Sequence, residues 1–131
     1  MNDQPTSADV RELLRRAYAA FNARDIEAVL SMMHADVEWP NGMEGGYVYG
    51  HDGVRAYWTR QWDLIDPVVE PRAFSTEPDG RILVEVHQRV LDKDGDTLLD
   101  GRVRHIYSIR DGLVWHMEIR DPSEDTGPEV T

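Results

Sequence analysis

The sequence predicts an α+β domain in which three N-terminal helices cover one face of a curved, mixed and mostly antiparallel sheet. Three observations carry this. Residues 21–40, FNARDIEAVLSMMHADVEWP, join two helical patterns at a single Asp25 and run directly into period-two alternation. A third helical pattern follows a glycine-rich stretch. From residue 81 onward, long alternating runs are separated by turn sequences.

The elements follow in order. From Ser7, read as an N-cap, Val10, Leu13, Leu14, Ala17 and Phe21 recur at helical spacing, and residues 22–24 close that helix. Asp25 caps a second helix with Ile26, Val29, Leu30 and Met33 on one face, so the two form a hairpin. Residues 34–40 alternate, with Val37 and Trp39 opposed to Asp36 and Glu38, and Pro40 ends the strand. The segment NGMEGGYVYGHDG reads as a loop, and the helix after it, over about 52–63, gathers Val54, Tyr57, Trp58 and Trp62 on an apolar face. Residues 67–78 read as a strand that Pro71 confines to a sheet edge.

Residues 81–91 place Ile82, Val84, Val86, Gln88 and Val90 opposite Glu85, His87 and Arg89. DKDGD turns the chain into 98–109, and Arg110-Asp111-Gly112 turns it into 113–121. A type I turn with Gly112 left-handed sets Ile109 opposite Leu113 and His105 opposite Met117. Val103, His105, Tyr107, Trp115, Met117, Ile119 and Asp121 then share the inner face, and Arg102, Arg104, His116, Glu118 and Arg120 the outer one.

At 131 residues, with 40% hydrophobic and 30% charged residues, the chain reads as one domain over 1–131, with an ordered core of about 7–122 and loose polar ends. The net charge of −11 disfavours nucleic acid and anionic membranes as partners. The expected partners are a small apolar or cyclic molecule and a second copy of the chain. No cysteine is present, which removes thiol nucleophiles, disulfides and thiolate metal sites. The one lysine, Lys93, sits at a hairpin tip and is no candidate for a buried Schiff base. With no membrane-length apolar run and no signal-like N-terminus, a cytoplasmic location is expected.

The order of elements, with DIEAVLSMMHADVEWP and HIYSIRDGLVWHMEIRDP at its two ends, resembles the nuclear transport factor two-like superfamily, and within it the SnoaL-like and ketosteroid-isomerase-like branch. The resemblance covers residues 10–122 and implies a cone-shaped, cystatin-like α+β roll with an apolar pocket, commonly a homodimer, and activities of the polyketide cyclase or isomerase kind. It does not carry over the steroid isomerase residues. The base position in VEWP falls at Trp39, the tyrosine position at Ala17, beside Tyr18, and the protonated aspartate near His105. Nor does it carry over the arginine–carboxylate set of limonene epoxide hydrolases: two residues after Arg89 stands Leu91, and the last-strand carboxylate position falls at Ile119.

His105 is the leading candidate for chemistry, because a histidine on the inner face can act as acid, base or donor; its structural alternative is a core histidine satisfied by a tyrosine or carbonyl. Asp121 is the candidate partner carboxylate, with a strand-end cap as the alternative. Tyr18, Met33, Trp39, Trp58, Trp62, Val86, Gln88, Val103, Met117 and Ile119 are the expected ligand-binding wall, although an aromatic stripe at helical spacing serves equally as core. Glu44 and Tyr47 are placed to form a lid or a plain loop. His34, His87 and His116 lack ligand spacing, the Asp92–Asp94–Asp96 run reads as a solvated turn, and neither a metal nor a cofactor is expected. Two functions follow: cofactor-independent acid–base chemistry on an apolar carbonyl compound, or a non-catalytic binding or dimerisation module.

Overall fold

The computed structural model describes residues 7–42 and 44–120; the side chain of Ser7, the placement of Asp121 and both chain ends lie outside the described residues. The elements are α1 (Ser7–Asn22), α2 (Ile26–Leu30), β1 (Met33–Pro40), β2 (Tyr47–Tyr49), α3 (Gly50–Leu64), β3 (Asp66–Thr76), β4 (Ile82–Leu91), β5 (Thr97–Arg110) and β6 (Leu113–Arg120). The strands form one sheet in the order β2-β1-β6-β5-β4-β3, parallel at β1–β6 and antiparallel at the other pairs. This is the α+β architecture that the sequence predicts.

Helix α1 buries Val10, Leu14 and Tyr18, four residues apart and therefore on one stripe. Left-handed Arg24 (φ 65°) reverses the chain, and Asp25 caps α2 by accepting from the Ala28 N–H at 3.2 Å. Helix α2 is shorter than its apolar pattern suggests. The Met32 carbonyl accepts from the Val114 N–H at 2.9 Å, so the chain leaves the helix for the sheet there, and Met33 opens β1 instead of closing α2.

The glycine-rich loop contains a strand that its composition hides. Left-handed Gly45 and Gly46 turn the chain back, and Tyr47, Val48 and Tyr49 pair with Pro40, Trp39 and Glu38. Two β-formers and a valine suffice once the partner strand is already fixed. At the opposite edge, β3 tolerates Pro71 beside a register shift between Pro71 and Ala73, as an edge strand can.

The β5–β6 hairpin corrects the expected register. Asp111 (φ 56°) and Gly112 (φ 77°) are both left-handed, so the turn is a two-residue one that pairs Arg110 with Leu113. An irregularity then leaves Trp115 unpaired, and beyond it Tyr107 faces Met117 and His105 faces Ile119. The offset from the expected register is one residue next to the turn and two residues beyond it. Side chains alternate with period two, so the faces of His105, Tyr107 and Met117 are as expected while those of Val114 and Trp115 are exchanged. Val114 is buried in the core, and Trp115 instead carries the Arg110 guanidinium 3.7 Å from its ring centroid.

The core fills the concave side: Leu14 and Tyr18 from α1, Trp58 and Val54 from α3, and Val37, Val84, Val86, Tyr107 and Met117 from the sheet. One polar contact fastens α1 to the sheet edge. The Asn22 amide donates to the Val69 carbonyl at 2.7 Å and accepts from the Val69 N–H at 3.0 Å, completing the free side of β3 as a further strand would. Among the described residues no helix is long and apolar enough to cross a membrane.

Replacing Asn22 by alanine leaves both Val69 groups partly buried and unpaired, and the expected loss is about 1–3 kcal/mol in urea unfolding. Asn22→Asp keeps the acceptor alone and is expected to fall between. An unchanged midpoint for Asn22→Ala would mean that water replaces the amide without cost.

Candidate functional site

Between the C-terminal half of α1, α2, α3 and the sheet lies a cavity of about 60 Å³. Helix α1 contributes Ala17, Tyr18 and Phe21, α2 and its exit Val29 and Met32, and α3 Trp58; the strands supply Met33, Trp39, Val69, His105, Tyr107 and Val114. The volume exceeds the roughly 10–15 Å³ a cavity needs to admit one water, so the space can hold a few water molecules. A larger guest requires the aromatic wall to move. That wall interlocks edge to face: Trp39 meets Trp58 with ring centroids 5.4 Å apart, and Phe21 meets Trp58 at 5.2 Å.

Three polar side chains interrupt the apolar lining, and they form one chain. The Tyr107 hydroxyl donates to the Tyr18 oxygen at 2.8 Å, which leaves the Tyr18 O–H to donate to His105 Nδ1 at 2.7 Å. In that arrangement the His105 proton sits on Nε2, which has no hydrogen-bond partner among the described residues. The strand period brings His105 and Tyr107 to the same face two residues apart, and the α1 stripe that buries Leu14 delivers Tyr18 one turn later.

The surroundings keep all three groups neutral. Burial lowers the His105 pKa from 6.5 to about 4. Burial also raises Tyr107, and it raises Tyr18 well above the ordinary tyrosine value, with the neighbouring Tyr107 adding to the effect. At neutral pH the cavity thus holds an uncharged imidazole and two uncharged phenols. They can donate to, or accept from, a guest's oxygen or acidic C–H without placing a net charge in an apolar space.

Of the residues singled out from sequence, the cavity brings together His105, Tyr18, Met33, Trp39 and Trp58. Trp62 lies behind Trp58 and Phe21, beneath the Arg24 guanidinium at 5.2 Å, and does not line the space. Val86 and Met117 are buried in the core, and Val103 packs against it, all away from the cavity. Gln88 is half-buried and outside it, and Ile119 is 46% exposed. The inner face is longer than the cavity, and sharing a face does not place a residue at the opening. Asp121 falls outside the described residues. Tyr47 is no lid over this space, since it belongs to β2 and stacks on His116 at 5.2 Å, while Glu44 is tied to Arg60 at 3.1 Å and to Asn41.

Several lining residues escaped the sequence reading. Tyr107 lies on the inner face expected for it, and its two-residue spacing from His105 is the sequence signal for its part in the hydrogen-bonded chain. Val114 needed the two-residue turn, whose Asp-Gly signature was present. Ala17, Phe21 and Val29 carry only the helical stripe that marks core, and Met32 and Val69 carry no signal beyond being apolar.

Residues 14–117 match the SnoaL-like domain family. A crystal structure of TerC with polyporic acid is 31% identical, covers 89% of this chain and 94% of TerC, and superposes with a TM-score of 0.75. A nuclear transport factor two-like protein of unknown function from Burkholderia pseudomallei is 27% identical over 94% of this chain and 98% of its own, with a TM-score of 0.74. At 18% identity, a Mycobacterium tuberculosis protein in complex with estradiol-17β-hemisuccinate shares the fold, with 85% of this chain and 92% of that one covered and a TM-score of 0.72. No curated protein matches the chain in sequence.

The buried imidazole has a consequence for acid stability. Because the fold holds His105 neutral, the unfolded chain takes up its proton first; the contribution of His105 is complete above about pH 6.5 and is lost as pH falls to about 4. A shift of that size is worth roughly 3 kcal/mol. His105→Gln removes this dependence, so the stability difference between wild type and variant, read from urea midpoints, is expected to change by roughly that amount across the window. Parallel pH profiles would show that His105 is protonated in the fold without penalty.

Proposed function

This chain belongs to the SnoaL-like domain family, and from that premise we propose a small-molecule-binding protein that performs cofactor-independent acid–base chemistry at His105 on a compact, apolar, cyclic carbonyl compound. The observation that carries the proposal is a neutral imidazole, buried to 7% exposure, that lines an otherwise apolar cavity and whose Nε2 has no hydrogen-bond partner among the described residues. Burial without charge leaves His105 in the neutral form that can exchange a proton with carbon, and the lining holds no carboxylate to take that proton instead. Binding of polyporic acid by TerC supports a small-molecule pocket in this scaffold. Isomerisation, cyclisation and dehydration all begin with removal of a proton next to a carbonyl, and they are the reactions to which the proposal extends.

A non-catalytic binding module is the second reading, and one observation favours it. The Tyr18 bond to Nδ1 is also what a purely structural histidine would make. We propose a cytoplasmic homodimer that meets through the polar outer sheet face, where Arg104–Glu85 and Arg81–Glu118 pair between strands, and sedimentation at micromolar concentration reads the assembly state.

The reading is tested with cyclohexanone in D₂O, following loss of the α-proton signals by NMR. Wild type is expected to accelerate exchange, and His105→Gln to lower the rate by about 10²–10⁴-fold while remaining folded. Equal rates for the two proteins would remove His105 from catalysis and leave the binding module.

A further inference from the structure

We propose that His105 and Tyr107 are the two working ends of one reversible proton relay through Tyr18, so that Tyr107 is the acid that answers the His105 base. This rests on the carbonyl reading above and supplies the second group that a proton shift requires. Both ends line the cavity, their ring centroids are 6.2 Å apart, and the Tyr18 oxygen bridges them at 2.8 and 2.7 Å. Each hydroxyl can both donate and accept, and a neutral imidazole carries its proton on either nitrogen, so the same two internal bonds can be made in either direction. In one polarity the protons point from Tyr107 through Tyr18 to Nδ1, and Nε2 carries a proton. In the other, Nδ1–H donates to Tyr18, Tyr18 donates to Tyr107, the Tyr107 O–H is free for a guest, and Nε2 is a base.

Passing from the second polarity to the first performs an enolisation. Nε2 takes a proton from the carbon beside the carbonyl, and the electrons of that C–H bond become the new carbon–carbon double bond. The carbonyl π electrons move onto oxygen, which takes the Tyr107 proton. Tyr107 is refilled from Tyr18, and Tyr18 from Nδ1. Two protons move within the relay, one arrives from carbon and one leaves to oxygen, so the product is a neutral enol and the protein never becomes charged. Running the sequence backwards with Nε2–H delivering its proton to a different carbon completes an isomerisation. Separating charge here would be costly, since the lining offers no counter-ion: the carboxylates and guanidinium groups of the described residues lie outside it. In the relay Tyr107 touches the substrate, whereas Tyr18 is a positioning residue that acts through its neighbours.

The test reads the relay with and without turnover. Long-range ¹H–¹⁵N correlation of the histidine rings, with His105 assigned by its absence in His105→Gln, reports the tautomer directly. Wild type is expected to show His105 shifts averaged between the two tautomers. Tyr107→Phe, which leaves the Tyr18 hydroxyl Nδ1 as its one internal partner, is expected to move them to the Nε2–H form. A wild-type ring locked in one tautomer and unmoved by Tyr107→Phe overturns the relay, whether or not any substrate turns over. In the cyclohexanone exchange assay, Tyr107→Phe and Tyr18→Phe are each expected to lower kcat by about 10²-fold or more with KM changed far less. Full kcat in Tyr107→Phe overturns it as well. Averaged tautomers in a protein inactive on carbonyl compounds would retain the relay and remove the catalytic reading, which separates the two failures.

Discussion

Everything in the site depends on how α1 lies across the concave face of the sheet. Its apolar stripe of Val10, Leu14 and Tyr18 sets the rotation of the helix about its own axis, and the Asn22 amide on Val69 sets its far end against the β3 edge. With both fixed, the Tyr18 hydroxyl has no choice but to arrive between His105 and Tyr107. The burial of leucine and valine side chains, worth about 1.5–3 kcal/mol each, is therefore what holds a phenol oxygen at hydrogen-bond distance from two partners that are 87 and 89 residues away in sequence. Core and site are one object here: Tyr18, Val29, Met33, Trp58, Tyr107 and Val114 belong to both.

Much of the fold was legible because its signals are local. Period-3.6 stripes gave α1 and α3, Asp25 marked a helix start, and alternation gave β4 to β6. What was not legible depended on partners. Tyr47 to Tyr49 is a strand because β1 offers an edge, and nothing within those three residues says so. The candidate site was readable by face and unreadable by extent. Parity placed His105 and Tyr107 inward even with the register off by two, since an even slip preserves faces. Parity could not say which inward residues meet empty space, so Val86, Val103 and Met117 belonged to the expected wall and Val29, Met32 and Val69 did not. Where helix α1 stops filling the concavity is a question of tertiary packing, decided by the shapes of Leu14, Phe21 and Trp58 together.

The two faces of the sheet follow opposite electrostatic rules. On the outer face charges are half-buried or exposed and paired between neighbouring segments: Arg104 with Glu85, Arg81 with Glu118, and His87 between Glu70 and Asp100. Such pairs contribute little to stability singly and tolerate exchange. The cavity lining on the inner face holds no charged side chain among the described residues. Polarity survives there as three neutral groups joined by two hydrogen bonds, and a neutral, internally bonded chain is the form in which an apolar interior can keep reactive protons at low cost.

The Asp111–Gly112 turn shows how readily such a cavity can be reshaped by a change in loop length. Neither turn residue lines the cavity, yet the turn sets which of two neighbours, Val114 or Trp115, points inward. An insertion or deletion of one residue there exchanges a valine wall for an indole, or the reverse, with the β6 sequence untouched. Descendants of one ancestral chain could alter the volume they enclose by such a step, without spending a core substitution on it.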